Sequence, residues 1–254
     1  MALPPVGLGT MGIDDPATIT TALDVGYRHL DTAQIYDNEG VVGAGIQASS
    51  VDREELIVAT KVWADSLTAD AVDTTTEASL NRLGLDRVDI LYGHRPIETY
   101  DPVATLAAFD RLYKSNIIGG IGLSNFTVDQ LETAQTQFSA PIAAHQVEFH
   151  PLFWSAELLA HAQQHDYQLV AYSPLAGGTV REVDAVVDIA DSHETTPEAV
   201  AIAWLLSKPN VVTIPKASSR RHLDANLQAR QLRLTDEECR RIDEIDRTVE
   251  LYPE

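Results

Sequence analysis

The sequence predicts an α/β fold closed as a (β/α)8 TIM barrel, and three observations carry that prediction. Eight short apolar or β-branched runs recur along the chain, longer segments with helical spacing lie between them, and no linker interrupts the alternation. The runs occupy residues 6–9, 27–31, 56–61, 88–92, 120–123, 144–148, 169–172 and 211–215. Helical spacing marks 16–25, 69–83, 102–115, 129–137, 156–165, 197–206 and 221–229. Such alternation calls for parallel strands joined by right-handed crossovers, and eight repeats are the number that closes a barrel.

Local signals support the elements in turn. Asp14-Asp15-Pro16 opens the first helix, because an aspartate side chain accepts an orphan N–H and proline suits the first helical position. Thr195-Thr196-Pro197-Glu198 does the same further on, and Leu234-Thr235-Asp236-Glu237-Glu238 starts a polar helical run over 235–247. The alternative architecture is an open doubly wound sheet, whose glycine fingerprint would follow the first strand. There the chain reads Gly7-Leu8-Gly9-Thr10-Met11-Gly12. The letters fit G-x-G-x-x-G, but the acidic residue about twenty positions on, Asp31, belongs with a different set of groups, so the barrel is preferred. With no Pro/Ser-rich hinge or break in composition, one domain over 1–254 is expected.

Composition narrows the partners. Of 254 residues, 44% are hydrophobic and 22% charged, an ordinary globular balance. The formal net charge is −20, with 38 Asp and Glu against 18 Lys and Arg. Nucleic acid and anionic membrane are excluded as expected partners, since both demand cations against phosphate. Lysine occurs only at Lys61, Lys114, Lys208 and Lys216, while the acids are scattered, the pattern of a surface adapted to high salt. Cys239 has no partner for an internal disulfide and reads as a passive thiol. No basic N-terminal segment leads into an apolar stretch and no eighteen apolar residues run together, so a cytoplasmic location is expected, as a monomer or weak dimer.

In a parallel barrel, reacting groups gather at the C-terminal ends of the strands. The second run ends in Asp31 with Tyr36 five residues later, the third ends in Lys61, and the fourth runs out at His94. A tyrosine keeps its proton to about pH 10, so it serves as an acid near neutrality only if its anion is stabilised. A lysine does that, a carboxylate offsets the cost of burying the lysine, and a histidine can orient a carbonyl oxygen. The set suits proton delivery to a carbonyl oxygen while a hydride reaches its carbon, and it needs no metal. His145, Glu148 and His150 are not read as metal ligands, because alternation along a strand splits the two histidines.

Over almost its full length the chain resembles the aldo-keto reductase family. The resemblance rests on Gly7-Leu8-Gly9-Thr10, Gly26 through Ala33 with Tyr36, Thr60-Lys61-Val62-Trp63, His94 with Pro96, Gly122 through Phe126, His145 through Glu148, Ala171 through Leu175, and Ile214-Pro215-Lys216. It implies a catalytic tetrad of Asp31, Tyr36, Lys61 and His94, with Tyr36 as general acid, Lys61 and Asp31 lowering its pKa and His94 positioning the carbonyl. It further implies that Ser124, Asn125 and Gln146 hold a nicotinamide carboxamide and that Tyr172 stacks on the ring. Thr10, Ser173, Pro174 and Leu175 would approach the ribose and pyrophosphate, and Asp31 also falls in the cofactor-binding set. Lys216 resembles the lysine that meets the 2′-phosphate, with Ala217, Ser218, His222 and Asn226 completing that region.

Four departures qualify the resemblance. Ala217 replaces the usual serine, and His222 replaces the usual arginine, with Arg220 and Arg221 just before it. Cations remain near Lys216, so NADPH is favoured and NADH is the alternative. At the substrate mouth Trp63 is kept, but Arg95 and Met11 stand where aromatic residues are usual, and Arg95 could draw polar or carboxylated carbonyl substrates. The loops that close over the site in larger members look trimmed, which implies an open, permissive pocket. The expected function is therefore reduction of small aldehydes or ketones. The competing readings are a cofactor-binding regulatory barrel, which would lack part of the tetrad, and a glycosidase or aldolase barrel, which would show a carboxylate pair or an isolated lysine.

Overall fold

The computed structural model describes residues 2–253. Its strands are β1 (Leu8–Gly9), β2 (His29–Asp31), β3 (Ile57–Val62), β4 (Ile90–Gly93), β5 (Ile121–Ser124), β6 (Ile142–Glu148), β7 (Gln168–Tyr172) and β8 (Val211–Thr213). They form one parallel sheet in sequence order. Val6 bridges Thr213 in parallel, with the Gly7 N–H donating to the Thr213 carbonyl at 2.8 Å and the Thr213 N–H to that of Pro5 at 3.0 Å. That contact joins the first strand to the last and closes the barrel.

Around the sheet lie α1 (Pro16–Val25), α2 (Glu39–Ala48), α3 (Ala69–Leu83), α4 (Ala104–Lys114) and α5 (Val128–Gln137), then α6 (Ala156–Gln164), α7 (Asp184–Ser192), α8 (Pro197–Ser207), α9 (Arg220–Gln228) and α10 (Asp236–Asp243). The expected caps form: Asp15 accepts the Ala17 N–H, Thr196 that of Ala199, and Thr235 makes a capping box with Glu238. Several strands are shorter than their apolar runs. Residues 27 and 28 precede β2, and Val88 contributes only an isolated bridge to Ile118. The polar run over 235–247 is helical only across α10.

Two helices, α2 and α7, were not marked by helical spacing. For α2 the cause is composition: its sequence EGVVGAGIQA carries three glycines, which weaken any helical reading. Two of them exist for packing. A Cβ on Gly43 would lie 2.3 Å from the Leu83 carbonyl oxygen of α3, and one on Gly45 would lie 2.5 Å from Ile19 Cβ of α1. Backbone therefore meets backbone where α2 settles between its neighbours.

Inside the barrel, Ala59, Ile90, Tyr92, Ala144, Val170 and Val212 pack together with Leu3, whose N–H donates to Gln168 Oε1 at 2.5 Å. His29 is fully buried, and its ring fills the space beside Gly7. Trp204 packs in the outer core, with its indole N–H on Asp243 at 2.8 Å. No helix among the described residues is long and apolar enough to cross a membrane.

The contrast between glycines of α2 gives a direct check. Gly43→Ala should destabilise by about 1–3 kcal/mol through overpacking. Gly40→Ala, whose nearest foreign atom would be 3.9 Å away, should be neutral or stabilise by up to about 1 kcal/mol. Thermal melting of the two variants reads the difference, and equal shifts would contradict the close approach of α2 to α3.

Candidate active site

Three strand ends bring the four predicted catalytic residues together. Asp31 closes β2, Lys61 stands near the end of β3, and His94 follows β4. Tyr36 ends a single 3-10 turn, Gln34–Tyr36, after β2. Lys61 has no exposed surface, and its ammonium is paired with Asp31 Oδ1 while also donating to the Thr32 carbonyl at 2.8 Å. The second oxygen of Asp31 accepts from Gln146 Nε2 at 2.7 Å. A buried ion pair tolerates its loss of water only when its remaining hydrogen-bonding capacity is met in this way.

The ammonium of Lys61 lies 5.1 Å from the centre of the Tyr36 ring. Burial pushes the Tyr36 hydroxyl up, Lys61 draws it back, and Asp31 adds to the rise, leaving it above the ordinary tyrosine value. The sequence had implied a lowered value, but burial outweighs Lys61 and the phenol stays protonated. Burial works against the charge on Lys61, yet Asp31 and Tyr36 outweigh it and hold the ammonium above its usual range. His94 meets Trp63 edge-on at 4.9 Å and Tyr36 at 6.1 Å between ring centres. Burial, then Lys61 and Arg95, hold it down to about 2, so it is a neutral imidazole, and its Nδ1 finds no hydrogen-bond partner among the described residues.

These groups face a cavity of about 440 Å³, lined by Asp31, Tyr36 and His94, with Lys61 beneath. Thr10, Asn125, Gln146, Tyr172, Ser173 and Pro174 also line it, as do Met11, Trp63, Arg95 and Lys216. The other predicted residues lie outside its wall. Ser124 is buried behind Asn125, whose Nδ2 donates to it at 3.2 Å. Leu175 and Ala217 pack into the core, Asn226 is buried on α9, and Ser218 and His222 are exposed beyond the mouth.

The cavity suits a nicotinamide nucleotide. Asn125 adopts a left-handed φ of 61°, its Nδ2 donating to the His94 carbonyl at 3.0 Å and its Oδ1 accepting from the Tyr172 hydroxyl at 3.0 Å. Amide donors and acceptors thus stand beside a flat, half-buried ring, as a carboxamide on an aromatic ring requires. At the outer end, Lys216, Arg220 and Arg221 are exposed near the capped N-terminus of α9, and none of the three has an ion pair among the described residues.

Sequence reasoning missed several contributors. Asn38 is buried and donates to the carbonyls of Thr10 and Ile13 at 2.7 and 3.0 Å while accepting from the Thr32 hydroxyl at 3.0 Å, which ties the Tyr36 loop to the first one. Gln34 accepts the Trp63 N–H at 3.1 Å. Ile35 and Tyr252 line the cavity as well. A residue distant in sequence from the tetrad, Tyr252, thus forms part of the cavity wall. Arg95 is partly occupied there, its Nη2 donating to the Tyr252 carbonyl at 3.2 Å.

Known proteins resemble this chain over nearly its whole length. The model of the aldo/keto reductase family matches residues 5–247. Methylglyoxal reductase DkgB of Escherichia coli O157:H7 is 36% identical over 253 residues, covering 97% of this chain and 94% of that protein. Glyoxal reductase of Bacillus subtilis is 34% identical, with 99% and 92% coverage. An aldo-keto reductase structure from a Medee basin deep-sea metagenome library superposes with a TM-score of 0.94 at 31% identity, covering 100% of this chain and 95% of that one.

Burial also holds His29 and His145 down, to about 4 and about 3. Because the unfolded chain takes up protons at these histidines first, stability is full above pH 6.5 and falls as pH drops from 6.5 towards 4. The loss is about 1.4 kcal/mol per pH unit for each histidine. His29→Leu should remove one such increment from the slope of denaturant stability against pH, and an unchanged slope would show that His29 charges as readily folded as unfolded.

Proposed function

This chain belongs to the aldo/keto reductase family, and we propose that it reduces the carbonyl group of small aldehydes, and of ketones, to alcohols using NADPH, with Tyr36 as the proton donor. The observation that carries the reading is the buried Lys61–Asp31 pair set beneath Tyr36 in a cavity that His94 also faces.

When bound, NADPH supplies the hydride that the carbonyl carbon receives. As that carbon is reduced, negative charge grows on its oxygen. A neutral His94 can donate a hydrogen bond there without carrying charge into the site, which orients the oxygen towards the Tyr36 hydroxyl. Tyr36, held protonated by burial, gives its proton to that oxygen, and the nearby Lys61 ammonium stabilises the tyrosinate left behind. Asp31 keeps Lys61 charged and fixed, while Gln146 occupies the other carboxylate oxygen and so restrains Asp31 itself. The proton then returns to Tyr36 from solvent.

Asn125 and Gln146 would hold the carboxamide, with Ser124 behind Asn125 as its hydrogen-bond acceptor, and Tyr172 would cover the ring. Preference for the 2′-phosphate follows from Lys216, Arg220 and Arg221 together with the N–H groups at the start of α9, a concentration of positive charge on an otherwise acidic chain. The names of the relatives, methylglyoxal reductase and glyoxal reductase, support small reactive aldehydes as substrates.

Tyr36→Phe should lower kcat by about 10²–10⁴ while leaving the Kd for NADPH nearly unchanged, as expected when only a proton donor is removed. Near-normal turnover in that variant would refute the assignment of the acid. Lys216→Ala should reduce kcat/KM with NADPH by about tenfold or more, the loss of one charge-assisted contact, and leave that with NADH almost unaltered. Equal losses with both nucleotides would place the phosphate elsewhere.

A further inference from the structure

Glu148, at the end of β6, is buried and reaches the segment 249–252 rather than the tetrad. Its Oε1 accepts the N–H of Leu251 at 2.8 Å and its Oε2 that of Tyr252 at 3.1 Å. A third donor completes the carboxylate. The Leu152 N–H donates to His150 Nδ1 at 3.2 Å, so the imidazole proton sits on Nε2, which donates to Glu148 Oε1 at 2.9 Å. The same turn grips the segment a second time, since the Leu152 carbonyl accepts the Val249 N–H at 2.9 Å. Leu251 rests 3.6 Å from the position of a Cβ on Gly177, and the Tyr252 carbonyl takes the Arg95 hydrogen bond.

The consequence lies at the cavity mouth. Tyr252 is held with its ring edge-on to Tyr172, at 5.8 Å between centres, and becomes part of the cavity wall. Met11, Ile35, Ile97 and Tyr252 are large apolar side chains left exposed, and all but Ile97 line the cavity. Exposed apolar groups gathered at a pocket mouth mark a surface that gains by covering an apolar ligand.

We propose that Glu148 is a positioning residue that latches the segment 249–252 across the cavity, making Tyr252 a wall that favours carbonyl substrates bearing an apolar aryl or branched alkyl group. This rests on the carbonyl-reductase reading for its substrate but not for its latch. A buried carboxylate loses two of its three donors if the segment lifts, so the closed arrangement reinforces itself. Small polar dicarbonyls are too short to gain from Tyr252, whereas a phenyl group beside the carbonyl would pack against it.

Hydrogen exchange on the intact protein tests the latch without reference to activity. The amides of Leu251 and Tyr252 should exchange about tenfold or more faster in Glu148→Ala than in the unaltered chain, with intermediate rates in Glu148→Gln, which keeps one acceptor. Unaltered exchange in Glu148→Ala would overturn the latch. Steady-state kinetics test the wall: Tyr252→Ala, an exposed side chain whose loss spares the core, should raise KM for benzaldehyde about tenfold relative to KM for methylglyoxal, with kcat moving less than KM. Glu148→Ala should do the same. Equal KM changes for the two aldehydes would overturn the substrate preference. Absence of turnover in the unaltered chain with either nucleotide would instead count against the reductase reading, and the exchange rates would still decide the latch.

Discussion

The buried ion pair between Lys61 and Asp31 is the interaction on which the site depends. A lysine without exposed surface would lose its proton unless a carboxylate compensated it, and a carboxylate there would itself take up a proton without the lysine. The pair is therefore obligatory once either member is present. Its neighbours serve it in turn: the Thr32 carbonyl takes another ammonium proton, and Gln146 crosses from β6 to satisfy Asp31. Tyr36 feels the one charge that helps a phenol release its proton only because this pair is held rigidly below it.

Rigidity of that kind comes from the barrel and from loops whose backbones are specified residue by residue. The closed sheet leaves the strand ends no freedom to spread. Asp37, Asn125 and Ser173, all next to the cavity, adopt left-handed backbone angles of 53°, 61° and 50°. Asparagine and aspartate accept that region more readily than most residues, and strained or unusual backbone gathers where side chains must be aimed. Asn38 adds the cross-link between the first two loops, so the tyrosine is aimed by its neighbour in sequence as well as by the strand before it.

Electrostatics divide the molecule. The surface as a whole is acidic, yet the cavity has the mutually neutralised Lys61–Asp31 pair at its floor and the cations of Lys216, Arg220 and Arg221 towards its outer end. An anionic nucleotide approaching a chain of net charge −20 gains only along that line, which gives the binding direction a physical cause. The two acids nearest the cavity are both committed within the protein, Asp31 to Lys61 and Gln146, and Glu148 to the backbone amides of Leu251 and Tyr252.

Strand and helix alternation, helix caps and the set Asp31, Tyr36, Lys61 and His94 were legible in the sequence, because each depends on residue type at short range or on its place at the end of an apolar run. Helix α2 was not, since its glycines make sense only against Leu83 and Ile19 of other helices. Nor were Gln146 as the partner of Asp31, 115 positions away, or Tyr252 at the cavity, brought there by Glu148 from 104 positions away. The upward direction of the Tyr36 hydroxyl was also hidden, because a pKa follows burial as much as partners. The sequence by itself determined which chemical groups are available and the order in which strands deliver them. Only the tertiary structure decided which groups touch, which are dry and which segment covers them, because hydrogen bonding and desolvation depend on distances that the chain acquires when it folds.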